Sequence, residues 1–128
     1  MADGPQRFHR LGVGTSILSL EVPVIVGRRP STPRVVVGPA PLLKVVSSPR
    51  AEVSSTHVEI RQEGDAVVVT DLRSTNGTRV TIPGRQPVAL RQGESIVVLA
   101  GTIVDIGDGN RLEILPRTRI TPQEETIS

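Results

Sequence analysis

Two short polar clusters carry the side chains of this sequence that could do chemistry. Ser54-Ser55-Thr56-His57 lies at the start of one apolar run, and Ser74-Thr75-Asn76-Gly77 follows the next. Hydroxyl and imidazole groups can act as nucleophile and base, and hydroxyl and amide groups can also donate hydrogen bonds to a bound anion. The clusters therefore allow two interpretations, catalysis and ligand binding.

The catalytic interpretation depends on Ser54, His57 and Asp71, which are the residue types of a hydrolytic triad. Ser54 and His57 lie three residues apart at the start of a predicted strand, where alternation tends to point such neighbours to opposite faces. Residues 74–76 are similar to the Ser-x-Asn element of penicillin-reactive enzymes, but the sequence has no Ser-x-x-Lys or Lys-Thr-Gly element. We therefore expect no enzyme activity. Loss of ester turnover in Ser54→Ala would indicate the opposite.

A metal or cofactor site has little support in the composition. His9 and His57 are the only histidines, cysteine is absent, and no cluster of carboxylates accompanies either histidine. Protein metal sites combine several such ligands. The sequence therefore predicts neither a metal nor a cofactor.

The binding interpretation explains more residues together. A phosphoryl group requires a guanidinium, hydroxyl donors and backbone N–H groups in a tight turn. Arg28 after Gly27, Ser54 with Ser55, and 75–77 supply this set from three predicted loops. Each residue alone also fits an ordinary role, such as a solvated arginine, a turn serine or an Asn-Gly turn.

Short apolar runs between glycines and prolines predict the elements that position these clusters. The chain of 128 residues has 12 Gly and 11 Pro, and no window of a dozen residues without them shows a helical period. One Phe, one Met and no Trp or Tyr leave Val, Ile and Leu to form the core. The fold class is therefore all-β, a sandwich or barrel with one core.

The sequence predicts many short strands around a long proline-rich crossing at 28–50. The predicted strands are 7–11, 15–21, 22–27, 34–37, 42–46, 56–62, 66–72, 78–82, 88–93, 95–99, 102–107 and 111–115. Turns are predicted at 12–14, 63–65, 83–84, 100–101 and 107–110.

Charge and hydropathy exclude two classes of partner. The formal net charge is +2, and the isoelectric point is about 10.4 because Lys44 is the only lysine and the other cations are arginines. The arginines are scattered and the only aromatic residue is Phe8, so we expect no nucleic-acid partner. No apolar run approaches the length of a membrane span, and residues 1–10 lack the apolar stretch of a signal peptide. A cytoplasmic protein without direct membrane insertion is expected.

Three motifs follow one another at predicted strand ends. They are Gly27-Arg28, then Ser54-x-x-His57, then Asp71-Leu72-x-Ser74-Thr75-Asn76-Gly77-Thr78. Their order resembles the forkhead-associated (FHA) domain, whose signature is G-R, S-x-x-H and D-L-x-S-x-N-G-T. The resemblance spans residues 6–115, and the preference for Arg over Lys suggests a bacterial, actinobacterial type.

The resemblance implies an eleven-stranded, mostly antiparallel β-sandwich whose loops at one end bind phosphothreonine peptides. At the matching positions, Arg28 would hold the phosphate with two hydrogen bonds. Ser54 and Ser55 would add contacts from one loop, and Thr75 from the opposite loop. Asn76 would hold the peptide backbone.

Three further residues have structural roles in the resemblance. His57 would tie the Ser54 loop to its neighbour, Gly77 would adopt a positive φ, and Gly27 would precede the arginine. Ser55 stands where the family usually has arginine. For the cations of the crossing, a solvated position is favoured over one at the site: Arg29, Arg34, Lys44 and Arg50.

The resemblance also predicts the organisation of the chain and its partner. Residues 1–5 would be a disordered end, 6–115 the FHA domain and 116–128 a flexible tail, as part of a larger protein. The expected partner is a phosphothreonine-containing protein, the substrate of a Ser/Thr kinase. The alternative is a phosphate-independent interaction scaffold with the same fold.

Overall fold

The computed structural model describes residues 7–117, which form two packed β-sheets of eleven strands. The strands are β1 Arg10–Val13, β2 Ser16–Ser19, β3 Val24–Gly27, β4 Leu42–Val45, β5 Val58–Glu63, β6 Ala66–Asp71, β7 Thr78–Thr81, β8 Val88–Leu90, β9 Ser95–Val98, β10 Ile103–Asp105 and β11 Arg111–Leu115. The predicted eleven-stranded sandwich is confirmed. In this part of the chain, no helix is long and apolar enough to cross a membrane.

The two sheets are almost entirely antiparallel. One has the order β2-β1-β11-β10-β7-β8, and the other has the order β4-β3-β5-β6-β9. The exception is β4, which pairs in parallel with β3. A parallel neighbour requires a crossover connection, and residues 28–41 supply it.

The core lies between the sheets and consists of aliphatic side chains. Val58 and Ile60 of β5 and Val67 and Val69 of β6 are at most 1% exposed, and they alternate with residues on the outer face. Each such side chain contributes roughly 1.5–3 kcal/mol when it is fully buried. The rest of the buried cluster is also Val, Ile and Leu, which confirms the predicted composition of the core.

One predicted strand is wrong. Residues 34–37 form no strand, and Val35 and Val37 are 77% and 92% exposed. Valine favours strands, but a strand needs a free neighbouring edge. Both edges of β3 are already paired, with β4 and β5, and residues 34–37 do not join the outer edge of β4.

The ends of the described region also differ from the prediction. The first strand begins at Arg10 rather than residue 7, and its turn lies at Gly14, which has φ 60°. The predicted disordered end at 1–5 and the tail beyond residue 117 lie outside the described residues.

Gly27 allows two segments of backbone to approach closely at the end of β3. A Cβ at this position would lie 2.0 Å from the carbonyl oxygen of Ser55. The following amides bond to the same loop: Arg28 N donates to Ser54 O at 3.2 Å and Arg29 N donates to Ser55 O at 3.0 Å. Only glycine fits this approach.

We predict that Gly27→Ala destabilises the protein by about 1–3 kcal/mol or more, because the added methyl group must displace backbone rather than a flexible side chain. Urea denaturation measures the free energy of unfolding. Gly12→Ala is the matched control, since the nearest atom to its new Cβ would lie 3.8 Å away. Equal stability of the two variants would contradict the prediction.

Candidate functional site

The predicted polar clusters meet at one end of the sandwich. Strands β5 and β6 form a hairpin in which Val58 pairs with Asp71, and β3 pairs with β5 through Val26 and Val58. The end of β3, the start of β5 and the end of β6 therefore lie side by side. This brings together Arg28, the loop of residues 46–57 and the loop of residues 72–77.

The buried carboxylate of Asp71 organises the 72–77 loop. Its Oδ1 accepts hydrogen bonds from the hydroxyls of Ser74 and Thr78, and its Oδ2 accepts one from Ser74 N at 3.0 Å. Ser74 Oγ in turn accepts a bond from Gly77 N at 2.9 Å. Asp71 is fully buried, and these donors replace the water that its charge has lost.

His57 joins the two loops. Its Nδ1 accepts a hydrogen bond from Ser54 N at 3.0 Å, and its Nε2 lies 2.9 Å from the carbonyl oxygen of Gly77. Because Ser54 N can only donate, the ring proton is on Nε2, which donates to Gly77. Burial lowers the pKa of His57, and the bond to Gly77 and the charge of Asp71 offset part of this effect. The imidazole is therefore neutral.

Ser54, His57 and Asp71 are not arranged as a hydrolytic triad. Both ring nitrogens of His57 are bonded to backbone, and Asp71 bonds to Ser74 and Thr78. Ser54 Oγ accepts a bond from Thr75 N at 2.9 Å instead of facing a base. Among residues 7–117, no three His, Asp or Glu side chains are grouped closely enough to hold a metal ion.

Arg28 is half-buried, and its guanidinium is fixed at one nitrogen. Nε donates to the carbonyl oxygen of Val53 at 2.7 Å. No carboxylate within the described region forms a salt bridge with it, so its two Nη groups are available to an anion.

The other predicted binding residues lie around Arg28 in two loops. Ser54 is half-buried and keeps its hydroxyl hydrogen for a ligand, because Oγ acts as acceptor toward Thr75 N. Ser55, Thr75 and Asn76 are exposed. Asn76 Nδ2 donates to the carbonyl oxygen of Glu52 at 2.9 Å, which leaves its amide oxygen for a ligand. Gly77 has φ 85°.

An open cleft of about 870 Å³ adjoins the 72–77 loop. Asn76, Arg79, Arg91 and Asp105 contribute to its wall. The cleft is large enough to receive side chains of an extended peptide that lies across the 72–77 loop.

A third loop, residues 106–110 between β10 and β11, also supports this end of the sandwich. The sequence predicted the turn at 107–110 but not its contact with the site. The Gly-Asp-Gly-Asn turn gave no signal beyond the turn itself. Of the crossing's cations, Lys44 donates to Ser16 Oγ on β2 at 3.0 Å. Arg50 carries its charge near the carboxylate of Asp108.

Comparisons with known proteins identify a family and similar folds. The family model of the FHA domain matches residues 24–99. The fold is similar to EmbR of Mycobacterium tuberculosis in complex with a low-affinity phosphopeptide, with TM-score 0.64 and 23% identity, over 94% of this chain and 27% of that chain. This chain therefore spans about a quarter of the length of EmbR.

Two isolated FHA domains are similar over nearly their full length. The FHA domain of human APLF, in complex with an XRCC1 bisphospho peptide, has TM-score 0.62 and 16% identity, over 85% of this chain and 98% of that chain. A structure from a study of phosphothreonine-dependent FHA domain interactions has TM-score 0.58 and 23% identity, over 88% of this chain and 99% of that chain. No curated protein sequence matches the chain significantly.

We predict that acid weakens the folded state through His57. Its pKa is lowered in the folded protein, so the unfolded chain takes up a proton first as the pH falls below about 6.5. Stability therefore rises with pH in this range. Urea denaturation at pH 7.5 and pH 5.5 should give a larger loss for the wild type than for His57→Asn. His9 is present in both proteins, so the comparison isolates the contribution of His57. An equal loss in both would contradict the prediction.

Proposed function

The chain belongs to the FHA family, and from this premise we propose that it binds phosphothreonine peptides and mediates phosphorylation-dependent protein interaction in Ser/Thr kinase signalling. FHA domains are interaction modules. The observation that carries the proposal is the guanidinium of Arg28, which is held by the carbonyl oxygen of Val53 at 2.7 Å, next to the Ser54 loop. A fixed guanidinium suits phosphate, because two of its N–H groups can bond to two oxygens together.

The donors in the loops next to Arg28 are of the types that a phosphoryl group accepts. In the proposed complex, Ser54 donates its hydroxyl from one side, Ser55 lies beside it and Thr75 contacts the phosphate from the opposite loop. The bond between Ser54 Oγ and Thr75 N sets the spacing of the two loops before any ligand arrives. Because the two loops are already joined, binding costs little free energy for ordering them, and this favours affinity.

The charges of the site favour a dianion. A phosphothreonine carries roughly −1.5 to −2 charges at neutral pH. Arg28 and Arg29 are adjacent at the end of β3, and the nearby carboxylates of Glu52 and Asp108 already accept hydrogen bonds from backbone N–H groups. These carboxylates are thus partly neutralised by their donors.

Asn76 and the cleft beside it suit the rest of the peptide. The amide oxygen of Asn76 is free to accept a backbone N–H next to the phosphothreonine, while Nδ2 stays on Glu52 O. Residues farther along the peptide would enter the cleft of about 870 Å³. EmbR and APLF, which have similar folds, were each solved with a phosphopeptide.

We propose residues 6–115 as the domain, beyond the matched residues 24–99. Strands β1 and β11 pair with each other and complete the six-stranded sheet, so the fold needs them. A phosphothreonine partner implies a compartment that contains Ser/Thr kinases, and we propose the cytoplasm.

We predict that Arg28→Ala weakens phosphothreonine-peptide binding by about 100-fold, since loss of one partner from a hydrogen-bonded charge pair commonly costs about 2–5 kcal/mol. A degenerate phosphothreonine library selects the peptide, and calorimetry then measures its affinity beside the phosphoserine and unphosphorylated forms. Phosphothreonine should bind most tightly.

Arg85→Ala is the matched control, because Arg85 is exposed in the turn between β7 and β8, outside the three loops. It should bind like the wild type. Equal binding of all peptide forms, or binding that survives Arg28→Ala, would favour the phosphate-independent scaffold instead. Hydrolysis of an ester by wild type but not by Ser54→Ala would favour an enzyme.

A further inference from the structure

Asp108 makes several of the hydrogen bonds that join the loop of residues 106–110 to the loop of residues 46–57. Asp108 Oδ2 accepts hydrogen bonds from the hydroxyl of Ser48 and from Glu52 N, the latter at 3.0 Å. Glu52 also bonds to Asp108 through its side chain, because Glu52 Oε1 accepts a hydrogen bond from Asp108 N at 2.6 Å. Asp108 and Glu52 thus bind each other in both directions.

The contact extends to Val53 through Ser48. Ser48 Oγ donates to Asp108 and accepts Val53 N at 2.9 Å. The backbone N–H groups of both residues that precede Ser54 are therefore held by Asp108, one directly and one through Ser48. The bond from Ser48 also lowers the pKa of Asp108, so the carboxylate stays charged at neutral pH.

The two loops approach too closely for this contact to be incidental. A Cβ on Gly107, whose φ is 107°, would lie 2.9 Å from Cβ of Glu52. Asn110 Nδ2 donates to Ser47 O at 2.8 Å on the other side of the turn. Asp108 itself adopts φ 51°, a conformation that few residues other than glycine favour.

The carbonyl groups of the same two residues hold the side chains that would bind the ligand. Val53 O accepts Arg28 Nε at 2.7 Å, and Glu52 O accepts Asn76 Nδ2 at 2.9 Å. A shift of the Glu52-Val53 backbone would move both side chains. Asp108 is therefore connected to both Arg28 and Asn76 through the backbone of Glu52 and Val53.

We propose that Asp108 is a positioning residue of the binding site, which orients Arg28 and Asn76 by fixing the backbone of Glu52 and Val53. For its effect on affinity, the inference rests on the proposed function of the site. Both bonds to the Asp108 side chain end on Oδ2, so the oxygen of an asparagine amide can replace it. The position requires an acceptor rather than a charge.

Calorimetry with the phosphothreonine peptide selected by the wild type tests the effect on binding. Asp108→Ala should weaken binding by about 10- to 100-fold, as is typical when a group that orients a ligand-binding residue is removed. Asp108→Asn should stay within about 3-fold of the wild type, because it keeps both accepted bonds. Glu113→Ala, an exposed acidic residue of β11, is the control for charge. Wild-type affinity in Asp108→Ala, or no rescue by asparagine, would overturn the proposal.

A double-mutant cycle separates positioning from general damage. If Asp108 acts through Asn76, Asp108→Ala should cost less in an Asn76→Ala background than in the wild type. Equal fold losses in both backgrounds would remove Asn76 from the proposal.

A measurement without ligand tests the positioning itself. Hydrogen exchange by NMR should be faster in Asp108→Ala at Glu52 N, Val53 N and Arg28 Nε, while the amide of Val69 in the core stays protected. Unchanged exchange at Arg28 Nε would overturn the proposal even if binding weakened. If the wild type bound no phosphopeptide, the proposed function would fail, and this exchange experiment would still decide the role of Asp108.

Discussion

The end of the sandwich that carries the proposed site depends on the burial of one carboxylate. Asp71 is fully buried at the end of β6, and an unpaired buried charge is costly. Its donors come from Ser74 and Thr78, so the chain between them must fold back over the carboxylate. This fold-back determines the conformation of the 72–77 loop. His57 then joins that loop to the Ser54 loop, because its ring bonds to Gly77 O and to Ser54 N. The buried contacts of Asp71 and the partly buried contacts of His57 therefore support the loops that carry the exposed donors.

Residues of one type have different roles here because their surroundings differ. Ser74 is 2% exposed, and its hydroxyl is used within the loop, whereas Ser54 keeps a hydroxyl hydrogen at the surface. His57 has the residue type of a base, but both its nitrogens bond to backbone. The hydroxyl and imidazole groups that suggested catalysis thus divide into a buried framework and an exposed set of donors.

The short apolar runs, together with the order of the motifs and the resemblance it carries, were sufficient to predict the sandwich and the meeting of the clusters. These features are local in sequence or follow from hairpin pairing. The strand at 34–37 was wrong because β propensity does not decide whether a segment pairs with a sheet edge, and this segment joins none. The contacts of Asp108 were missed because they join residues 56 apart in the chain, and the turn sequence around Asp108 fits any tight turn equally well.

The replacement of the usual arginine by Ser55 changes how the site can hold charge. In the proposed complex, Arg28 is the guanidinium fixed beside the hydroxyl donors, through its bond to Val53 O. Arg29 and Arg50 are exposed, and exposed charges are screened by salt over about 10 Å at 0.1 M. They can raise the rate of encounter with an anionic peptide but cannot replace a fixed bidentate contact. The geometry of Arg28, and hence of the Val53 carbonyl that fixes it, then carries a larger share of the affinity than in a site with two arginines.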